Sequence, residues 1–219
     1  MIRFENLSKS YWIKGKEKVV INNLNLTLPT GKSLGLMGRN GAGKSTLMNI
    51  ISGVLPPDTG RVVSDGTISW PVGFGGSFHK QMTGAQNVRF VARIYGVDSE
   101  SLEAFVENFA EIGAHFHLPV RTYSAGMKAR VSFGLSMGIQ FDTYLIDETT
   151  AVGDATFVRK SRTVFRSRMA NASAIMVSHQ MGALRQFCDS GLVLNNGQLE
   201  YFEDLEEAIE RHKALVAAG

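Results

Sequence analysis

Ser33-Leu34-Gly35-Leu36-Met37, followed directly by Gly38-Arg39-Asn40-Gly41-Ala42-Gly43-Lys44-Ser45-Thr46, decides the fold class. The first five residues are a short apolar run, of the kind a strand buried on both faces requires. The next eight fit Gly-x4-Gly-Lys-Ser, and Ser45 to Ile51 reads as a helix that ends near Gly53. Strand, glycine loop and helix in that order make a cradle for phosphate. The glycines let the backbone curl, so that successive N–H groups face phosphate oxygens. The helix adds its positive end. Lys44 supplies a full charge for the β- and γ-phosphates of a nucleotide such as ATP, and the Ser45 hydroxyl suits Mg²⁺. At average residue usage the pattern arises by accident in roughly one chain of this size in a hundred. The strand before it and the helix after it make accident a poorer account still.

A second apolar strand, Thr143-Tyr144-Leu145-Ile146, ends on two carboxylates, Asp147 and Glu148. Beside a phosphate loop, the first is placed to hold Mg²⁺ and the second to polarise an attacking water. A third apolar run, Ala174-Ile175-Met176-Val177, leads to Ser178 and His179. In parallel sheets the C-terminal strand ends gather at the ligand crevice, which puts His179 within range of a terminal phosphate. His115-Phe116-His117, the closest histidine pair, lacks metal-ligand spacing.

The remaining sequence supplies a scaffold. Residues 2–30 read as strands and turns: Leu24, Leu26 and Leu28 alternate with polar residues, and Pro29-Thr30-Gly31 ends the run. Residues 60–73 are strand-like. From about 84 to 140 the chain reads as helical, with Leu102, Phe105, Val106, Phe109 and Ala110 at helical spacing over 100–112 and a second helix over about 125–139. Leu192-Val193-Leu194, Asn195-Asn196-Gly197 and Leu199-Glu200-Tyr201-Phe202 form a hairpin signal, and a last helix is expected over roughly 204–217. The expected fold is α/β: a P-loop (RecA-like) parallel-sheet core with an N-terminal antiparallel β-subdomain and an inserted α-helical subdomain, all within one domain spanning 1–219.

Composition sets bounds on this reading. Of 219 residues, 44% are hydrophobic and 20% charged, a balance that folds. The formal charge of +3 comes from scattered cations, so no nucleic-acid partner is expected. The densest clusters, Lys14-Lys16-Lys18 and Arg159-Lys160-Arg162, read first as solvated surface. A single cysteine, Cys188, forms no internal disulfide, suits a reducing compartment and reads as a packing residue. No apolar run approaches the ~20 residues that cross a bilayer, and the first residues lack a signal peptide's apolar core. A soluble protein held at a membrane only by a partner is the expectation.

Tyr123-Ser124-Ala125-Gly126-Met127-Lys128-Ala129-Arg130 separates this chain from other nucleotide hydrolases. It resembles the signature of ABC-type ATPases, usually Leu-Ser-Gly-Gly-Gln, and stands between the phosphate loop and the acidic strand as in that family. Physically, Ser124 can cap the following helix and leave an anion site at its start. The resemblance implies further roles: Tyr11 (or its neighbour Trp12) stacking on adenine, Ala151-Val152-Gly153-Asp154 as the D-loop, and His179 as the switch histidine. It also implies a head-to-tail pair of copies, each ATP held between one phosphate loop and the other copy's Ser124, Ala125 and Gly126, and a polytopic membrane permease driven by the pair. Two departures stand out. Ala125 and Met127 replace the usual glycine and glutamine, and Trp70 to Phe78 contains no glutamine to serve as a Q-loop.

Gly73-Phe74-Gly75-Gly76-Ser77-Phe78, Met82-Thr83-Gly84-Ala85-Gln86-Asn87 and Asp147-Glu148-Thr149-Thr150-Ala151-Val152-Gly153-Asp154-Ala155-Thr156-Phe157 are similar to the polysaccharide-exporting branch. Within it the chain resembles ATP-binding subunits of Gram-negative capsular polysaccharide exporters (KpsT type). With the last helix expected so near residue 219, the carbohydrate-binding domain that some O-antigen exporters append is not expected. The resemblance implies an ATPase at the cytoplasmic face of the inner membrane, with further export-complex proteins as partners. O-antigen or teichoic-acid export is the nearest alternative. A soluble ABC ATPase acting on ribosomes or DNA usually carries tandem cassettes or a coiled-coil insertion, and neither fits in 219 residues.

Overall fold

Alternating apolar and polar residues start the chain as two long antiparallel strands, β1 (Ile2–Ile13) and β2 (Lys16–Leu28). The connection is Lys14-Gly15, both at positive φ, the two-residue turn whose twist matches the strands. A computed structural model describes residues 1–29, 31–72, 78–147, 155–178 and 180–218. β4 (Thr59–Ser64) adds to β1 on its other side, giving a three-stranded sheet in the order β2-β1-β4. Asp58, just ahead of β4, takes hydrogen bonds from the Lys9 ammonium and the Ser10 N–H, which hold its carboxyl below the usual range.

The second sheet has six strands in the order β5-β6-β7-β3-β8-β9. These are β3 (Leu34–Met37), β5 (Ile68–Val72), β6 (Thr143–Ile146), β7 (Ser173–Met176), β8 (Ser190–Asn195) and β9 (Gln198–Phe202). β3 runs parallel to β7 and to β8, and β6 parallel to β7; β8 and β9 form an antiparallel hairpin. All four residues of β3 are buried, as its unbroken apolar run requires. Leu7, Ile21, Leu36, Leu47, Leu145 and Leu192, all at 0% exposure, form the core shared by the two sheets and helix α1 (Lys44–Ile51). Each such side chain contributes about 1.5–3 kcal/mol. The sheets are also joined by hydrogen bonds to the Asn22 main chain. Asn22 of β2 donates its N–H to the Gly197 carbonyl (2.9 Å) and accepts from Gln198 Nε2 (3.1 Å) at the tip of the β8–β9 hairpin. Helices α6 (Met181–Phe187) and α7 (Leu205–Ala217) complete this body, which comprises Met1–Pro71, Phe141–Glu148 and Ala172–Gly219.

A second compact body comprises Val72–Gln140 and Thr149–Asn171. Its helices are α2 (Gly84–Tyr95), α3 (Ser99–Ala110), α4 (Ala125–Gly138) and α5 (Ala155–Met169). Their starts follow from capping chemistry. Thr83 and Gln86 form a reciprocal capping box on α2; Asp98 caps α3 through the Ser101 N–H (2.8 Å), and the Ser101 hydrogen bonds hold its carboxyl below the usual range. The helix expected over 100–112 stops at Ala110 because Glu111 turns left-handed (φ 50°). Lys160 of α5 covers that end, donating to the Asn108 and Phe109 carbonyls and pairing with Glu111 (2.6 Å). Phe109 stacks on Phe133 at 5.6 Å and meets Phe157 edge-on at 5.2 Å, which ties α3, α4 and α5 together.

The parallel core, the N-terminal antiparallel sheet and the helical segment between β5 and β6 agree with the α/β fold read from the sequence. The strand-like stretch 60–73 resolves into β4 and β5, which lie in different sheets. Cys188 is buried, and burial pushes its thiol up to about 12. A raised thiol pKa leaves almost no thiolate near pH 8, so Ellman's reagent should react with Cys188 only on unfolding; rapid labelling of native protein would contradict this packing.

Candidate functional site

The loop after β3 is shaped by close approach. Gly38, Gly41 and Gly43 all have positive φ (153°, 77° and 108°). A Cβ on Gly43 would lie 2.1 Å from Val20 Cγ1 of β2, and one on Gly38 would lie 2.5 Å from the Leu194 carbonyl oxygen of β8. The main chain therefore passes where no side chain fits. Ala42 donates its N–H to the Arg39 carbonyl (3.1 Å), and Leu47 to Gly43 (2.9 Å), so the loop runs straight into α1. The first turn of α1 carries no acidic residue and no side-chain cap, which leaves its positive end available to an anion. Lys44 Nζ lies over the loop, donating to Gly38 O (2.8 Å) and Arg39 O (3.1 Å). Arg39, Asn40 and Ser45 are exposed, and Ala42 and Thr46 half-buried.

Strand order places the other groups of this body. β6, β7 and β3 are parallel neighbours, so their C-terminal ends lie along one edge. Asp147 leaves the end of β6 and is half-buried; the Val177 N–H, past β7, bonds to Ile146 O (2.8 Å). Glu148, Asp154 and His179 lie outside the described residues, as does most of the stretch in which a Q-loop would fall (73–77). The donor set fits a hard cation: Ser45 offers a hydroxyl and Asp147 a carboxylate. Mg²⁺ takes few protein ligands and completes its shell with phosphate oxygens and water. Among the described residues no group of three or more His, Cys, Asp and Glu gathers as an all-protein metal cage, and none is needed for that mode of binding.

β-register separates Tyr11 from Trp12. Tyr11 pairs with Lys18 across β1 and β2, and Trp12 pairs with Glu17. Lys18 Nζ reaches the phosphate-loop carbonyl of Gly41 (3.1 Å). Directly opposed residues share a face, so Tyr11 stands on the loop's side and Trp12 on the other. Tyr11 is 37% exposed, with Lys9 Nζ 5.6 Å from its ring centroid. Lys18 was missed by sequence reasoning, which treats the 14–18 cluster as solvated surface. The signal available was alternation: Lys18 and Val20 share a face of β2, and Val20 packs on Gly43.

In the second body, Ser124 caps α4, accepting from the Met127 N–H (3.2 Å), and is exposed together with Ala125. Within 4 Å of a Cβ on Gly126 stands only Ser124 Oγ, at 3.9 Å. Among the described residues, room is left for a larger side chain there.

A family model described as "ABC transporter" matches residues 21–151. The chain belongs to the ABC transporter family. The cassette is 46% identical to the polysialic acid transport ATP-binding protein KpsT of Escherichia coli, over 97% of this chain and 96% of that protein. It is 43% identical to the capsule polysaccharide export ATP-binding protein CtrD of Neisseria meningitidis serogroup B, over 98% and 100%. A dimeric ATP-binding cassette in a post-hydrolysis state, bound to ADP and Pi, shares the fold with a TM-score of 0.75 and 21% identity, over 94% of this chain and 99% of that one. As a member of the family, the cassette is an ATP-binding subunit with ATPase activity.

Gly43→Ala tests the loop geometry. Its Cβ meets Val20 and its φ is strained by about 1–3 kcal/mol. A fluorescent ATP analogue should bind the variant at least about tenfold more weakly, with melting lowered about 2–4 °C per kcal/mol lost; wild-type affinity would overturn the assignment.

Proposed function

We propose that this chain is the ATP-hydrolysing subunit of a capsular polysaccharide exporter, acting on a separate membrane permease from the cytoplasmic face of the inner membrane. The observation that carries this is near full-length identity of 43–46% to two ATP-binding proteins of capsule and polysialic acid export. No helix among the described residues is long and apolar enough to cross a membrane, which is consistent with a permease supplied by another chain.

In this reading the loop 38–46 holds the phosphates of ATP. Its backbone N–H groups supply the cradle, Lys44 moves from the loop carbonyls onto the β- and γ-phosphates, and Tyr11 stacks on the adenine. Ser45 and Asp147 would hold Mg²⁺, which would supply positive charge against the β- and γ-phosphates. Glu148 orients the attacking water, and His179 contacts the γ-phosphate. Two copies pair head to tail, so that Ser124, Ala125 and Gly126 of one meet the ATP of the other and Asp154 lies at their junction. The open space at Gly126 supports this: among the described residues, the helix backbone aside, only Ser124 Oγ comes within 4 Å of a Cβ there, which leaves the partner copy as the source of a demand for glycine. The helical segment from about 84 to 140 serves as the signature subdomain of a single ATPase domain.

Two experiments test the proposal. In the chain's own host, disruption should strip polysaccharide from the cell surface, with the wild-type chain restoring it and Lys44→Ala failing to do so. Lys44→Ala should also show no measurable ATP turnover. Intact surface polysaccharide after disruption would overturn the cargo, and unchanged turnover would overturn the site. Glu148→Gln should accumulate an ATP-dependent dimer in size-exclusion chromatography, whereas a strict monomer at every ATP concentration would refute head-to-tail pairing.

A further inference from the structure

Tyr123 is buried in the second body, yet it immediately precedes the exposed Ser124. Its phenol accepts a hydrogen bond from the Gly84 N–H (3.1 Å) and donates one to the Phe116 carbonyl (3.1 Å). Burial pushes the phenol up from its ordinary value, so the donated hydrogen bond persists throughout the neutral range. Gly84 is cut to fit this contact: a Cβ there would lie 2.4 Å from the phenol oxygen and 2.9 Å from the Phe116 carbonyl.

The phenol is the last of a series of links between two segments. Arg121 donates its N–H to the Lys80 carbonyl, and Val120 to the Met82 carbonyl, both at 2.9 Å; Thr83 and Pro119 form an antiparallel bridge. On the inner side Asn87, 2% exposed, shapes residues 79–83 from α2. Its Nδ2 donates to His79 O and Thr83 O, and its Oδ1 accepts from the His79 N–H. Residues 79–84 are thus tied to α2, and residues 119–123 to 79–84. Ser124 is the first residue beyond this clamp.

We propose that Tyr123 is a positioning residue for Ser124: its phenol fastens the serine that meets the partner copy's nucleotide to the start of α2. The placement of Ser124 is then set by the segment 79–84 and not by α4 alone. This rests on the head-to-tail reading above. A phenylalanine fills the same space but can neither accept from Gly84 nor donate to Phe116, so the fastening depends on one oxygen atom.

The test compares full-length Tyr123→Phe and Ser124→Ala with wild type. For Tyr123→Phe we expect affinity for a fluorescent ATP analogue within about twofold of wild type, since that ligand binds the loop 38–46, but kcat lowered about tenfold or more by displacement of the reacting constellation. Amide exchange at Met127 and Lys128, whose N–H groups bond to Ser124, should rise about tenfold. Unchanged exchange overturns the proposal whatever the turnover. Faster exchange with normal kcat, where Ser124→Ala is impaired, overturns it too. If Ser124→Ala itself turns over normally, the head-to-tail reading falls, and exchange alone judges the fastening. Gly84→Ala, which drives a methyl group at the same oxygen with Tyr123 intact, should reproduce the kinetic pattern; wild-type kcat there counts against the proposal, and this variant decides if Tyr123→Phe does not fold.

Discussion

The backbone of the phosphate loop runs closer to its neighbours than any side chain permits, against Val20 at Gly43 and against the Leu194 carbonyl at Gly38. That approach constrains nearly everything around it. β3 must be buried on both faces to launch the loop from the sheet's interior. β8 must lie beside β3 so that Leu194 reaches Gly38, and the antiparallel sheet must bring β2 over the start of α1. The loop is held by packing along its outer side and by the Lys18 and Lys44 ammonium groups on its carbonyls. Lys44, resting on two loop carbonyls, adds a charge already near where phosphate would sit.

The two features proposed to face anions work by different means. At the phosphate loop the donors are main-chain groups, held by glycine geometry. At Ser124 the donor is a helix cap: the hydroxyl oxygen already accepts from Met127, which leaves its own O–H to offer outward. The first depends on both sheets, on whose strands β2 and β8 its glycines pack. The second depends on a turn, and a turn needs outside bracing, which Tyr123, Asn87 and the 79–84 segment provide.

What was legible in the sequence was local. Gly38 to Ser45 lies on one continuous stretch, and its pattern carries its chemistry wherever it folds. The buried strands showed as apolar runs, α3 as helical periodicity and α4 as a helix behind the Ser124 cap, while α2 showed only as part of a mainly helical stretch. Contacts made by long-range register stayed hidden. Lys18 looked like one cation in a basic cluster until β1–β2 pairing set it beside Gly41, and the choice between Tyr11 and Trp12 needed the same register. Tyr123 was visible only as a letter in a motif; its hydrogen bonds join residues 84, 116 and 123, which no periodicity links. The break between β4 and β5 was similarly obscure, because both read as strand while belonging to different sheets.

The bonds of Asn22 to the Gly197 carbonyl and to the Gln198 side chain tie the antiparallel sheet to the parallel sheet. Tyr11 belongs to the first and the phosphate loop to the second. In the proposed site, the base and the phosphates are therefore gripped by a caliper whose opening is set at folding. A ligand must match that span with its own length, sugar included. With Tyr11 on the base, as proposed, selection by length would be built into the sheet joint.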